Sequence, residues 1–164
     1  MLRFSVDEVY EMAQAQERCG IEFYRRAAEL VPDEPLSNLL LSLAGMEEGH
    51  LRTFTDLREH LPEEDRRRDD PVLPEDAEEH RHYIRTLVRS HVFGSADEAW
   101  FSASVRKSRA DVLTRAAALE KDSIVFLLEL QELVPAPRGQ KEIAHILREE
   151  LQHLRMLHAM VQAE

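Results

Sequence analysis

Glu17 is followed 30 residues later by Glu47-x-x-His50, and Glu120 is followed 30 residues later by Glu150-x-x-His153. All three members recur at one offset of 103 residues, and so do their surroundings: Ala13 with Ala116, Ile21 with Ile124, Phe23 with Phe126, Leu51 with Leu154. Even the turn repeats, as Leu30-Val31-Pro32 against Leu133-Val134-Pro135. A duplicated two-helix unit is the simplest source of such a pattern. Residues three apart share a helix face, so each Glu-x-x-His sets a carboxylate beside an imidazole. Two copies of that ligand pair, each with a further glutamate, read as a dinuclear metal site of oxygen and nitrogen donors.

Accident has to be weighed against this, because a chain so rich in Glu, with 8 His, contains about one Glu-x-x-His by composition alone. Four occur. Glu142/His145 lies beside the Ile143/Ile146 stripe and Glu79/His82 lies in the stretch joining the halves, so both are assigned to solvated faces. Glu47/His50 and Glu150/His153 instead fill successive inward positions where the repeat otherwise places Leu, Ile or Ala, and Glu17 and Glu120 do the same. A carboxylate in a helical core costs several kcal/mol unless paired, and no Lys or Arg occupies the inward stripes near these positions. Two divalent cations balance four carboxylates and leave two neutral imidazoles as ligands. The absence of thiolate favours iron or manganese over a structural zinc or an iron–sulfur cluster.

Four long amphipathic segments must carry these residues. The first opens on a capping box, Ser5-Val-Asp-Glu8, and runs to about Val31 before Pro32. Its inward stripe is Val6, Val9, Ala13, Glu17, Gly20, Tyr24, Ala27 and Val31. The second, residues 35–61, aligns Leu36, Leu40, Leu43, Glu47, His50, Phe54, Leu57 and Leu61. The third, residues 107–134, aligns Leu113, Ala116, Glu120, Ser123, Leu127 and Leu130. The fourth, residues 140–162, aligns Ile143, Ile146, Glu150, His153, Leu157 and Met160, after a turn rich in proline that ends at Gly139. The prediction is a single all-α domain: a hairpin over residues 5–61, a crossover over 62–106 and a second hairpin over 107–163. The crossover begins as a charged, proline-containing surface loop and continues as a helix over residues 77–92, bearing Tyr83 and Leu87. A short turn follows toward Trp100 and Phe101. Such a crossover lets the second and third helices run parallel, so that a two-fold axis across the bundle brings the Glu-x-x-His pairs face to face.

Composition agrees with this frame. The chain has 164 residues, 43% of them hydrophobic, with few Gly and Pro, which suits one helical core. A formal charge of -11 disfavours non-specific nucleic-acid binding and raises the local concentration of cations. One cysteine, Cys19, excludes an internal disulfide and any Cys-x-x-Cys knuckle. No signal-peptide core and no run long enough to span a membrane is present, so the cytoplasm is the default location.

The motifs Glu17-Arg-Cys-Gly-Ile-Glu-Phe-Tyr24, Glu47-Glu-Gly-His50, Glu120-Lys-Asp-Ser-Ile124 and Glu150-Leu-Gln-His153 resemble the rubrerythrin branch of the ferritin-like diiron proteins, over nearly the whole chain. The resemblance implies a ferritin-like four-helix bundle holding two irons. It also implies that Glu47 and Glu150 bridge them, Glu17 and Glu120 are terminal ligands, and His50 and His153 bind one iron each. The activities it implies are peroxide reduction and ferrous-iron oxidation. Rubrerythrins append a rubredoxin module with paired Cys-x-x-Cys motifs; with Cys19 alone, electrons must come from a separate donor or from Fe²⁺ itself. They also carry an extra glutamate where this chain has Ser123.

Beside peroxide or dioxygen reduction stand two other readings, ferrous-iron oxidation for storage or detoxification and a non-catalytic interaction module with a structural metal. Tyr24, on the stripe of Glu17, is a candidate hydrogen-bond partner of a ligand carboxylate or a redox tyrosine, against the plainer role of a core tyrosine with a satisfied hydroxyl. Cys19 lies about 200° round the helix from Glu17 and is read as packing or partly exposed. His80 and His82 point to different faces, and His91 is placed at a helix end. The apolar residues of the crossover predict a homodimer, with exchange of helices as one way to build it.

Overall fold

The computed structural model describes residues 5–66, 100–101 and 107–162. It contains four long helices, α1 (Val6–Leu30), α2 (Glu34–Glu59), α3 (Arg109–Leu133) and α4 (Gln140–Gln162), and no strand among the described residues. Their ends fall within about two residues of the expected ones, because local chemistry sets them. Ser5 accepts from the Glu8 amide at 3.1 Å while the Glu8 carboxylate accepts from the Ser5 amide at 3.0 Å. Ser108 and Asp111 form a second capping box at the start of α3, one that the spacing pattern alone did not single out. Asp33 caps α2 through the Leu36 amide at 3.1 Å.

Contacts at the two ends fix the topology. At one end Arg109, at the start of α3, pairs with Asp33 in the α1–α2 turn and donates to the Met160 carbonyl near the end of α4 at 2.8 Å. At the other end Arg58, late in α2, holds Asp7 through two contacts of 2.9 Å, and the Tyr10 hydroxyl donates to the Arg138 carbonyl just before α4. Each hairpin is therefore antiparallel and α2 runs parallel to α3, the arrangement that the ligand symmetry requires. α1 also packs on α3, and α2 on α4.

Two apolar clusters cap this bundle from within. One gathers Val9, Tyr10, Phe54, Leu130 and Ile143, and the other gathers Phe23, Leu36, Leu40, Leu113 and Leu157. Each fully buried Leu or Phe contributes on the order of 1.5–3 kcal/mol. The polar residues of interest occupy the middle of the helices, between these clusters. Tyr10 and Phe23 lie off the expected stripe of α1 yet are buried, because α1 packs on both α2 and α3 and so buries a wider arc than one stripe.

Most of the crossover lies outside the described residues, including the expected helix over 77–92 with Tyr83 and Leu87, the pair Glu79/His82, and His80 and His91. At its start, Glu63–Arg66 makes a 3-10 turn rather than an open loop, and Arg66 reaches back to the carbonyls of Arg58 and Glu59 at 3.0 and 2.9 Å. This closes the free end of α2. Trp100 and Phe101 both pack on Phe23 with ring centroids 5.7 Å away, which takes up part of their apolar surface inside the chain.

Glycine has two opposite meanings here. Gly139 has φ 118°, and a Cβ there would come within 2.5 Å of the Tyr10 hydroxyl and 2.9 Å of Leu57. Gly45 sits inside α2, where an added Cβ would meet nothing within 4 Å. Gly139→Ala should destabilise the fold by about 1–3 kcal/mol, whereas Gly45→Ala should stabilise it by about 0.5–1 kcal/mol. Urea denaturation of the two variants checks both signs.

Candidate metal centre

Glu17 comes from α1, Glu47 and His50 from α2, Glu120 from α3, and Glu150 and His153 from α4. None of the six is more than 4% exposed. They form two interlocked groups, Glu17/Glu47/His50/Glu150 and Glu47/Glu120/Glu150/His153, within each of which the potential ligand atoms lie within 4.8 Å of one another. His50 Nδ1 faces Glu47 Oε2 at 2.9 Å, Glu150 Oε1 at 3.4 Å and Glu17 Oε2 at 3.7 Å. His153 Nδ1 faces Glu150 Oε2 at 3.0 Å, Glu47 Oε1 at 3.3 Å and Glu120 Oε1 at 3.6 Å. Glu47 and Glu150 thus turn one oxygen toward each histidine, while Glu17 and Glu120 serve one side apiece. The imidazoles stack at 5.5 Å with 18° between planes. The two-fold relation read from the spacing is present atom by atom.

Burial and mutual repulsion decide the charges. Burial, with repulsion from Glu47 and Glu150, pushes the Glu17 and Glu120 carboxyls well above the usual range, against the pull of their histidines. Burial would also raise Glu47 and Glu150, but hydrogen bonds from both imidazoles outweigh it and hold these carboxyls below their usual value. Burial disfavours the imidazolium of each histidine; the surrounding carboxylates overcome it, lifting His50 strongly and His153 to about 12. Two imidazolium ions, two carboxylates and two carboxylic acids, the states these directions favour without metal, make a neutral cluster. Two divalent cations with four carboxylates and two imidazoles make another.

The donor set fits such a pair of cations. Both Nδ1 atoms point at carboxylate oxygens, an arrangement that needs either a proton on the nitrogen or a cation between nitrogen and oxygen. Glu120 Oε2 is buried without a hydrogen-bond partner. Among the described residues the cationic neighbours of the four carboxylates are the two histidines alone.

Around this cluster the two halves differ. The Tyr24 hydroxyl, 2% exposed, donates to Glu120 Oε1, so the core tyrosine has its hydroxyl satisfied by a carboxylate of the cluster. Burial and the nearby carboxylates hold its phenol proton firmly. Ser123 donates to Glu150 Oε1 at 3.0 Å. A cavity of about 40 Å³ opens between α1 and α3, with buried Glu17, Tyr24, Glu47 and Glu120 as its floor and half-buried Gln16, Cys19, Gly20, Leu119, Asp122 and Ser123 as its rim. That is room for a molecule the size of water or peroxide. Cys19, read as packing or partly exposed, is half-buried and lines this opening. Glu149, which no motif singled out, approaches His50 Nε2 at 3.3 Å. Its signal was available only as a glutamate adjacent to a ligand, and the chain has many glutamates. Glu142 and His145 are exposed, as expected.

No protein-family model matches the chain, and no curated protein sequence does so. Among solved structures, one from Thermotoga maritima, described as a candidate ferritin-like diiron-carboxylate protein, matches with a TM-score of 0.69. The match has 22% identity and covers 99% of this chain and 98% of that one. At that identity the likeness is one of fold, and the fold of this chain is a ferritin-like helical bundle.

Proposed function

We propose that the chain is a diiron-carboxylate protein of rubrerythrin-like type that reacts with peroxide or dioxygen. One observation carries the reading: each histidine Nδ1 is faced by three carboxylate oxygens, and Glu47 and Glu150 each offer one oxygen to both sides. In this reading Glu47 and Glu150 bridge two metal positions, Glu17 and His50 complete one, and Glu120 and His153 complete the other. When bound, a pair of redox-active divalent ions supplies the electrons that cleave an O–O bond. The chain holds the site inside an apolar bundle, orients Glu120 through Tyr24 and Glu150 through Ser123, and leaves a small opening beside it for the oxidant. Structural metal sites are closed. The cavity over Glu17, Glu47 and Glu120 therefore favours reaction over a purely structural metal. Electrons in this proposal come from a separate donor protein or from Fe²⁺ itself, and a homodimer remains part of the proposal.

Metal-free protein titrated anaerobically with Fe²⁺ should take up two ions per chain, and Glu150→Gln should abolish uptake of at least one. Peroxide should then oxidise the bound iron faster than dioxygen does. The reverse order would favour iron oxidation for storage, and folding that depends on metal without any redox turnover would favour the structural-metal reading.

The metal-free cluster also predicts a pH dependence. His50 and His153 bind protons more tightly folded than unfolded, so their stabilisation is complete below about pH 6.5 and declines as pH rises toward the folded value. Glu17 and Glu120 act in the same direction above about pH 4.5, while Glu47 and Glu150 lose their contribution only in acid. With chelator present, Tm should fall between pH 6 and pH 8.5. With a divalent metal it should not, because the metal displaces those protons. Differential scanning calorimetry of both forms checks the divergence.

A further inference from the structure

The 103-residue offset that preserves all six candidate ligands breaks immediately outside them. His50 Nε2, the ring nitrogen facing away from the cluster, lies 3.3 Å from Glu149 Oε2. The corresponding nitrogen of His153 is buried with no hydrogen-bond partner among the described residues. The offset maps Glu149 onto Met46, a side chain with no acceptor for that nitrogen beyond a weak sulfur. A carboxylate at the outer nitrogen of a ligating histidine fixes the tautomer that leaves Nδ1 free, orients the ring and strengthens it as a donor. His50 has such a partner and His153 lacks one.

A second contact acts in the same direction. Tyr24 donates to Glu120, which withdraws charge from the terminal carboxylate on the His153 side. The offset maps Tyr24 onto Leu127, so Glu17 receives no such bond from that position. One side therefore has an imidazole backed by a carboxylate and a terminal carboxylate without a phenol donor, and the other has an unsupported imidazole and a terminal carboxylate that accepts from Tyr24; the Ser123 bond falls on Glu150, which both sides share.

We infer that the two metal positions are unequal. The Glu17/His50 position takes the first divalent cation and the Glu120/His153 position takes the second more weakly, with Glu149 as the positioning residue that sets the difference. This rests on the reading of the six residues as a dinuclear site and adds an order of filling to it. Glu149 is half-exposed, with His145 Nε2 3.6 Å from the same oxygen, so substitution there does not open the core.

The test is an anaerobic Co²⁺ titration followed by calorimetry and by visible absorption. Repulsion between adjacent divalent ions separates the steps of even identical positions, so the decisive reading is which step each variant moves. Glu149→Gln should weaken the tight step about 10–100-fold and leave the weak step in place. Glu149→Asp should recover part of the loss, and Met46→Glu should tighten the weak step alone. The far-ultraviolet circular dichroism of each metal-free variant should match that of the parent. A tight step unmoved by Glu149→Gln, equal shifts of both steps, or a weak step unmoved by Met46→Glu overturns the inference. If the parent protein takes up no Co²⁺, the dinuclear reading itself fails and the inference falls with it. Two ions bound without the variant pattern removes the inference and leaves that reading standing.

Discussion

Four carboxylates in the middle of a helical bundle require positive charge within a few ångströms, and the architecture is arranged around that requirement. A lone buried carboxylate costs several kcal/mol, comparable with the whole net stability of a domain this size. Among the described residues no lysine or arginine pairs with the cluster. The chain supplies two imidazoles whose Nδ1 atoms lie among the carboxylate oxygens, and it flanks the cluster with apolar residues toward both ends of the bundle. Protons or divalent ions can neutralise the cluster equally in charge, and the proposed reactivity requires the ions.

Facing pairs of Glu-x-x-His follow from the two-fold relation, and the two-fold relation follows from parallel α2 and α3. A short loop after α2 would have made α3 antiparallel to it and placed the ligand sets out of register. The long connection over residues 62–106 is thus a geometric necessity of the site. Symmetry holds for the six residues that set the charge. It fails at Glu149 against Met46, Ser123 against Gly20, and Tyr24 against Leu127, the positions that touch those six from outside. Gly20, weak as a helix former, leaves space over Glu47 that becomes part of the cavity, with Ser123 on the opposite rim.

Much of this was legible before any coordinates. Glu17, Glu47, His50, Glu120, Glu150 and His153 announced themselves because charged residues on an apolar stripe break the rule that positions around them obey, and the breach occurs twice. The ends of α1 were legible because Ser5 and Pro32 act locally, whereas the Asp33 cap of α2 emerges only in the structure. Tyr10 and Phe23 were not placed in the core, since burial off the stripe depends on a second neighbouring helix. The hydrogen bonds of Tyr24 to Glu120 and of Ser123 to Glu150 cross between helices, and so does the approach of Glu149 to His50. Such pairs depend on how helices meet, which periodicity along one helix does not encode.

The central claim is that two cations sit between His50 and His153, bridged by Glu47 and Glu150. Anomalous diffraction from crystals loaded with Fe²⁺ under anaerobic conditions, recorded on both sides of the iron absorption edge, tests it most directly. Two iron peaks are expected, one beside each Nδ1 atom and both in contact with Glu47 and Glu150. A single peak outside the cluster, or none while the six side chains stay linked through protons, would contradict it.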